Sequence, residues 1–145
     1  MRIMSCQTTL SVSDLTDKYI GCPFERHGRD PVKGMDCLGW LLVVCREIHG
    51  VDLPDPVEIS GVRWTVRLRD FKGHFRRITE AQVQPGDLAY DAHKDQPVMK
   101  HISIYDQDPG WWSHTNYNDG LCRVRITEWE DPDGIEFYAL RPHDL

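Results

Sequence analysis

A chain of 145 residues with 40% hydrophobic and 28% charged residues is long enough for one domain with a real core and is not composed like a disordered protein. Its formal net charge of −6 argues against nucleic acid as the main ligand. Five cysteines, an odd number with no pair spaced Cys-x-x-Cys, argue against a disulfide scaffold and a structural zinc site.

The first ten residues carry one arginine and no long apolar segment, which is not the pattern of a secretory signal. No stretch approaches the roughly 20 apolar residues of a membrane span. The expectation is a protein made and folded in a reducing cytoplasm. Residues 11–20 predict a short helix with Ser11 or Ser13 as cap and Val12, Leu15 and Tyr19 on one face. Gly21, Cys22 and Pro23 stop it. A loop of polar and turn residues follows, as far as Gly34.

There the pattern changes. Asp36 is a good N-cap, Leu38, Leu41, Leu42, Cys45 and Ile48 recur at helical spacing, and Gly50 stands where a helix end is expected. Trp40, Val43 and Val44 widen the apolar stripe, so this helix should be largely buried. Cys37 falls in its first turn, where unpaired N–H groups and the positive end of the helix dipole favour a thiolate. The expectation is a thiol pKa below the usual value of about 8.5. The plain alternative is a buried structural cysteine.

Further on, residues 62–71 read as a helix with Trp64, Leu68 and Phe71 on one face. Arg63, Arg67, Arg69, Lys72, Arg76 and Arg77 are opposed within this region only by Asp70, whereas nine acidic residues from Asp106 onward face three arginines. Such a bipolar chain suits electrostatic docking on a partner, or a solvated surface with none. The C-terminal half predicts an antiparallel meander: strands at 87–91, 101–105, 111–116, 121–127 and 135–140, with turns at 106–110 and 131–134. Residues 91–97 form a polar loop. By alternation His101, Ser103 and Tyr105 share one strand face and Ile102 and Ile104 the other, while Trp112, His114 and Asn116 share a face of the next strand. His93 and His101 lack carboxylate or thiol neighbours at usable spacing, so neither a metal site nor any cofactor is expected. Cys6, Cys22, Cys45 and Cys122 are expected to pack.

Five pieces stand in order along most of the chain: Tyr19-Ile20-Gly21-Cys22-Pro23-Phe24, Asp36-Cys37-Leu38-Gly39, Gly50-Val51-Asp52-Leu53-Pro54, Pro85-Gly86-Asp87-Leu88 and His101-Ile102-Ser103-Ile104-Tyr105. The ordered set resembles the NlpC family of papain-like cell-wall cysteine peptidases. Two positions depart from it: Phe24 stands where a tyrosine is usual, and Leu38 where a serine is usual. The loop with Arg26, His27, Gly28, Arg29 and Asp30 resembles that of the short members encoded among bacteriophage tail genes.

The resemblance implies a single α+β, papain-like domain over residues 1–145, its nucleophile helix packed on a C-terminal antiparallel sheet. It implies hydrolysis of amide bonds in peptidoglycan stem peptides, with Cys37 as nucleophile, His101 as base and a third group orienting that base. The family spacing places the third group at His114. Strand geometry leaves Asn116 open, because residues two apart on a strand stand roughly 6.6 Å apart and only one can be level with His101. The Cys37 N–H should belong to an oxyanion hole. Asp36, His27 and Phe24 are the expected substrate contacts, Asp36 serving as a helix cap, an amine contact or both. A cell-wall enzyme without an export signal needs another route to the wall, and assembly into a phage tail tip would supply one. The other readings are a structural tail-tip subunit with weak or lost catalysis and a cell-wall amidase.

Overall fold

The computed structural model describes residues 10–55, 72–91, 101–125 and 134–141. Helix α1 (Val12–Tyr19) starts at Ser11, whose hydroxyl accepts from the Asp14 N–H while the Asp14 carboxylate accepts from the Ser11 N–H. This reciprocal pair satisfies two of the donors that a helix start leaves unpaired. Ser13, the other candidate cap, donates instead to Gln107. Val12, Leu15 and Thr16 are buried. The chain then runs through Gly21 at φ 87 into strands β1 (Arg29–Asp30) and β2 (Gly34–Met35), a small antiparallel pair.

Helix α2 (Cys37–Val44) buries every residue except Leu42. The sequence predicts a continuous helix onward to residue 48, but the last turn, Cys45–His49, is π-helical. There the N–H of Gly50 reaches the carbonyl of Cys45, five residues back, and Gly50 ends the helix at φ 71.

Among the described residues a six-stranded antiparallel sheet follows: β3 (Phe75–Ile78), β4 (Leu88–Asp91), β5 (Ile102–Gln107), β6 (Trp111–Asn116), β7 (Gly120–Arg125) and β8 (Ile135–Leu140), in the order β3-β8-β4-β5-β6-β7. Alternation sorts its residues. Leu88, Tyr90, Ile102 and Ile104 join Trp40, Leu41, Val44 and Leu15 in the main core between sheet and helices. Ala89, Tyr105, Trp112 and Ile135 form a smaller apolar cluster with Val83, Val124 and Phe137. This is helix layer on sheet, an α+β papain-like arrangement. Among the described residues no helix is long and apolar enough to cross a membrane.

One expected turn residue lies elsewhere. Asp106 is 2% exposed, inside β5, where the pairing with β6 shifts between Tyr105 and Gln107. A bulge of this kind re-aims a side chain. The Asp106 carboxylate takes the Nε–H of Arg123 at 2.9 Å, and that guanidinium also reaches Asp17 at 2.8 Å and the Ser13 carbonyl at 3.0 Å. A buried carboxylate needs such a partner, and here it ties the sheet to α1. The helix expected at 62–71, the basic residues within it, Cys6, the loop residues 92–97 with His93, and positions 126–127 and 131–133 lie outside the described residues.

Candidate active site

Asp36 caps α2 and organises the loop before it. Its Oδ1 accepts from the Gly39 N–H at 2.8 Å and from Arg29 Nη1 at 2.8 Å, and its Oδ2 accepts from the His27 N–H at 2.9 Å. Arg29 also donates from Nε to Asp55 at 2.5 Å. The hold on its N–H fixes His27 at φ 62, which an L-residue adopts only where surroundings compel it. Gly39, two residues after the cysteine, has its own reason to be glycine. A Cβ there would lie 2.4 Å from the Gly28 carbonyl oxygen and 3.0 Å from the Met35 Cβ. Gly39→Ala should therefore push the 25–30 loop off the helix and cost about 2–4 kcal/mol, read as a lowered midpoint in urea unfolding. An unchanged midpoint would show that the loop does not rest on α2 as described. Leu38, 2% exposed, belongs to the main core, which accounts for an apolar residue where a serine is usual.

A cleft of about 320 Å³ opens above this helix start. It is lined by Phe24, Arg26, His27, Asp36, His101, Thr115, Asn116 and Tyr117. The Phe24 and Tyr117 rings are in contact, their centroids 4.3 Å apart. Three of the lining residues, Arg26, Thr115 and Tyr117, are not among the contacts expected from the sequence. Asn116, Asn118, Asp119 and Gly120 mark a tight hairpin directly after His114, and that signal was enough to place Tyr117 at the mouth. Cys37 itself is only 2% exposed.

His101 stands one residue ahead of β5, so strict alternation does not bind it. The N–H of Ile102, its neighbour, faces the Cys37 thiol, as does that of Leu38. His101 Nε2 shares a hydrogen bond with His114 Nδ1, the two rings meeting edge to face at 75° with centroids 4.5 Å apart. Ile104 pairs with Ser113 and Tyr105 with Trp112. Continued toward the start of β5, that register sets Asn116 level with His101 and His114 level with Ser103. The His114 ring spans the difference diagonally, within the reach of an aromatic side chain across a strand pair. Asn116 turns away: its Oδ1 accepts from the N–H groups of Asn118 at 3.0 Å and Asp119 at 2.7 Å, closing the β6–β7 hairpin.

The expected thiolate is not what this site holds. Burial pushes the Cys37 thiol up to about 12, with the Asp36 charge adding to the effect. The Ile102 and Leu38 N–H groups and Arg29 oppose the shift without reversing it. Loss of water around the sulfur thus outweighs the helix start. Burial likewise lowers His101 to about 3, helped by His114, and lowers His114 to about 4. At rest Cys37 is a thiol and His101 a neutral imidazole. Subtracting the ultraviolet spectrum of Cys37→Ala from that of the native chain at neutral pH should leave no thiolate band; a clear band would reinstate the ion pair. Because both histidines titrate below their ordinary 6.5 in the fold, they favour folding above that pH. That contribution is lost as pH falls from 6.5 toward about 3. The fall in urea midpoint between those limits should be shallower for His101→Ala than for the native chain, and equal slopes would contradict the burial of a neutral His101.

No family model matches the chain. Over 89 residues, 61% of its length, it is 28% identical to the gamma-DL-glutamyl hydrolase of Bacillus subtilis (strain 168), and the match spans 19% of that protein. In structure it is similar to an NlpC/P60 family protein from Bacillus cereus ATCC 10987, with a TM-score of 0.66, 17% identity, and coverage of 94% of this chain and 41% of that one. It is similar also to the NlpC/p60 domain of the peptidoglycan hydrolase SagA, at 0.60, 19%, 93% and 100%. RipD from Mycobacterium tuberculosis, a non-catalytic NlpC/p60 domain protein adapted to peptidoglycan binding, matches at 0.57, 17%, 94% and 98%. The chain thus spans about two fifths of the Bacillus cereus protein and about a fifth of the curated relative. Its helices and its antiparallel sheet are those of the papain-like fold shared by the NlpC/P60 proteins.

Proposed function

We propose that this chain is a cysteine endopeptidase that cuts stem-peptide amide bonds of peptidoglycan, the bond following a γ-linked D-glutamyl residue being the expected target. The observation that supports it is the contact between His101 Nε2 and His114 Nδ1 at the base of a cleft that ends on the Cys37 helix. With a proton on His101 Nε2 donated to His114, uptake of the thiol proton is assigned in this reading to His101 Nδ1. The Cys37 sulfur then attacks the carbonyl carbon and forms a tetrahedral oxyanion, which the Cys37 N–H stabilises at the helix start. The amine leaves with the proton from His101, and water, deprotonated by the same ring, hydrolyses the thioester. The high resting thiol pKa means that proton transfer accompanies attack and does not precede it.

Purified sacculi digested with the native chain and with Cys37→Ala should settle the reaction by mass spectrometry of the muropeptides. New fragments ending in a free glutamyl γ-carboxyl, absent with the variant, are expected. Products cut at the lactyl–alanine junction would make the chain an amidase instead.

A second reading has RipD in its favour: a domain of this fold that binds peptidoglycan without cutting it. Binding of the native chain to sacculi without any new muropeptide would select it. Either activity could be delivered from a phage-like tail tip. This rests on the resemblance of the loop carrying Arg26 to Asp30, and purified particles should then contain the chain in small fixed copy number.

A further inference from the structure

The cleft lining holds one acidic residue and, among the described residues, one guanidinium without an ion-pair partner, and the pairing of the first decides what the second can do. Asp36 is 7% exposed, and its two oxygens already accept three N–H groups, from Gly39, His27 and Arg29. The Arg29 charge lies on it at 2.8 Å. A carboxylate so occupied has little left for a substrate ammonium, because an added cation would have to displace Arg29 or a backbone donor. Arg26 differs. It is exposed, lines the cleft, and among the described residues has no ion-pair partner. His27 beside it is held at φ 62 by the Asp36 grip on its N–H. Thr115, Asn116 and Tyr117, which also line the cleft, bring no acid. Glu25, between Phe24 and Arg26, is absent from the cleft lining; its side chain lies against Gly34.

We propose that Arg26, with His27, is the subsite for a carboxylate of the substrate, the free α-carboxylate of the γ-linked glutamyl residue, and that Asp36 positions the loop and reads no amine. This rests on the endopeptidase reading above and makes it more specific. Substrates whose amino terminus is blocked, as in a stem peptide still joined to its glycan, are then as acceptable as free peptides. Those whose glutamyl α-carboxylate is amidated are poor.

Three synthetic tripeptides test this: alanyl-γ-D-glutamyl-lysine, its N-acetyl form, and its α-carboxamide. Acetylation should change kcat/KM by less than about twofold. Amidation should lower it about tenfold or more, the usual worth of a charge-assisted hydrogen bond. Arg26→Ala should bring the carboxylate peptide down to the level of the amide, and Arg26→Lys should restore part of the difference. Loss of cleavage on acetylation, indifference to amidation, or an equal effect of Arg26→Ala on both peptides would each overturn the proposal. If none of the three is cut, the endopeptidase reading falls. The subsite is then judged by calorimetric binding of the same peptides to Cys37→Ala: preference for the carboxylate over the amide upholds it, and equal or absent binding overturns it.

Discussion

Cys37→Ala should lower turnover by about four orders of magnitude or more on any substrate the native chain cuts, the usual consequence of removing a covalent nucleophile. The fold should survive. Ala is well tolerated at a helix start, and losing one buried sulfur at a position 2% exposed costs roughly 1 kcal/mol, a few degrees of Tm in a domain of this size. Circular dichroism and a thermal melt, beside the muropeptide assay, separate loss of chemistry from loss of structure. Cys22→Ala is the control. Its thiol faces the carbonyls of Pro23 and Asp30 at 3.7 Å each, away from the start of α2. Full activity in Cys37→Ala would sink the mechanism, and equal loss in a folded Cys22→Ala would point to the other thiol.

The second large effect is expected along the series His101→Ala, His114→Ala and Asn116→Ala. His101 is the group that takes and returns the proton, so its loss should approach that of Cys37, because members of such a unit are strongly non-additive. His114 acts through His101 by holding its Nε2–H, and its removal should cost less, about ten- to a hundredfold in kcat. His114→Asn keeps a side chain able to accept that hydrogen and should recover part of the loss, which a merely structural role would not. Asn116→Ala should lower the thermal midpoint by opening the β6–β7 hairpin and leave kcat nearly intact. The reverse pattern, an intermediate kcat loss in Asn116→Ala with His114→Ala silent, would move the third position one pleat along the strand.

What the residues determine locally was legible before any coordinates. The Asp36 cap, the apolar run of α2 and the alternation of the strands rest on contacts a few residues apart, which propensity and periodicity govern. The α+β papain-like class and the candidate set Cys37, His101 and His114 came from the ordered resemblance, and strand geometry left Asn116 open beside His114. The tertiary structure decided everything that depends on what arrives from elsewhere in the chain. Level spacing along a strand cannot choose between His114 and Asn116; the diagonal reach of one ring and the hairpin duty of the other brought only His114 into contact with His101. Asp106 reads as a turn residue, yet a bulge turns it inward to Arg123. Asp36 reads from sequence equally as cap and as ligand for an amine; only the fold shows it capping α2 while paired with Arg29, itself backed by Asp55. The thiol state was least accessible of all. A helix start favours a thiolate by its own few N–H groups, but the cost of burying charge is set by every element packed around the sulfur, and here that cost is the larger.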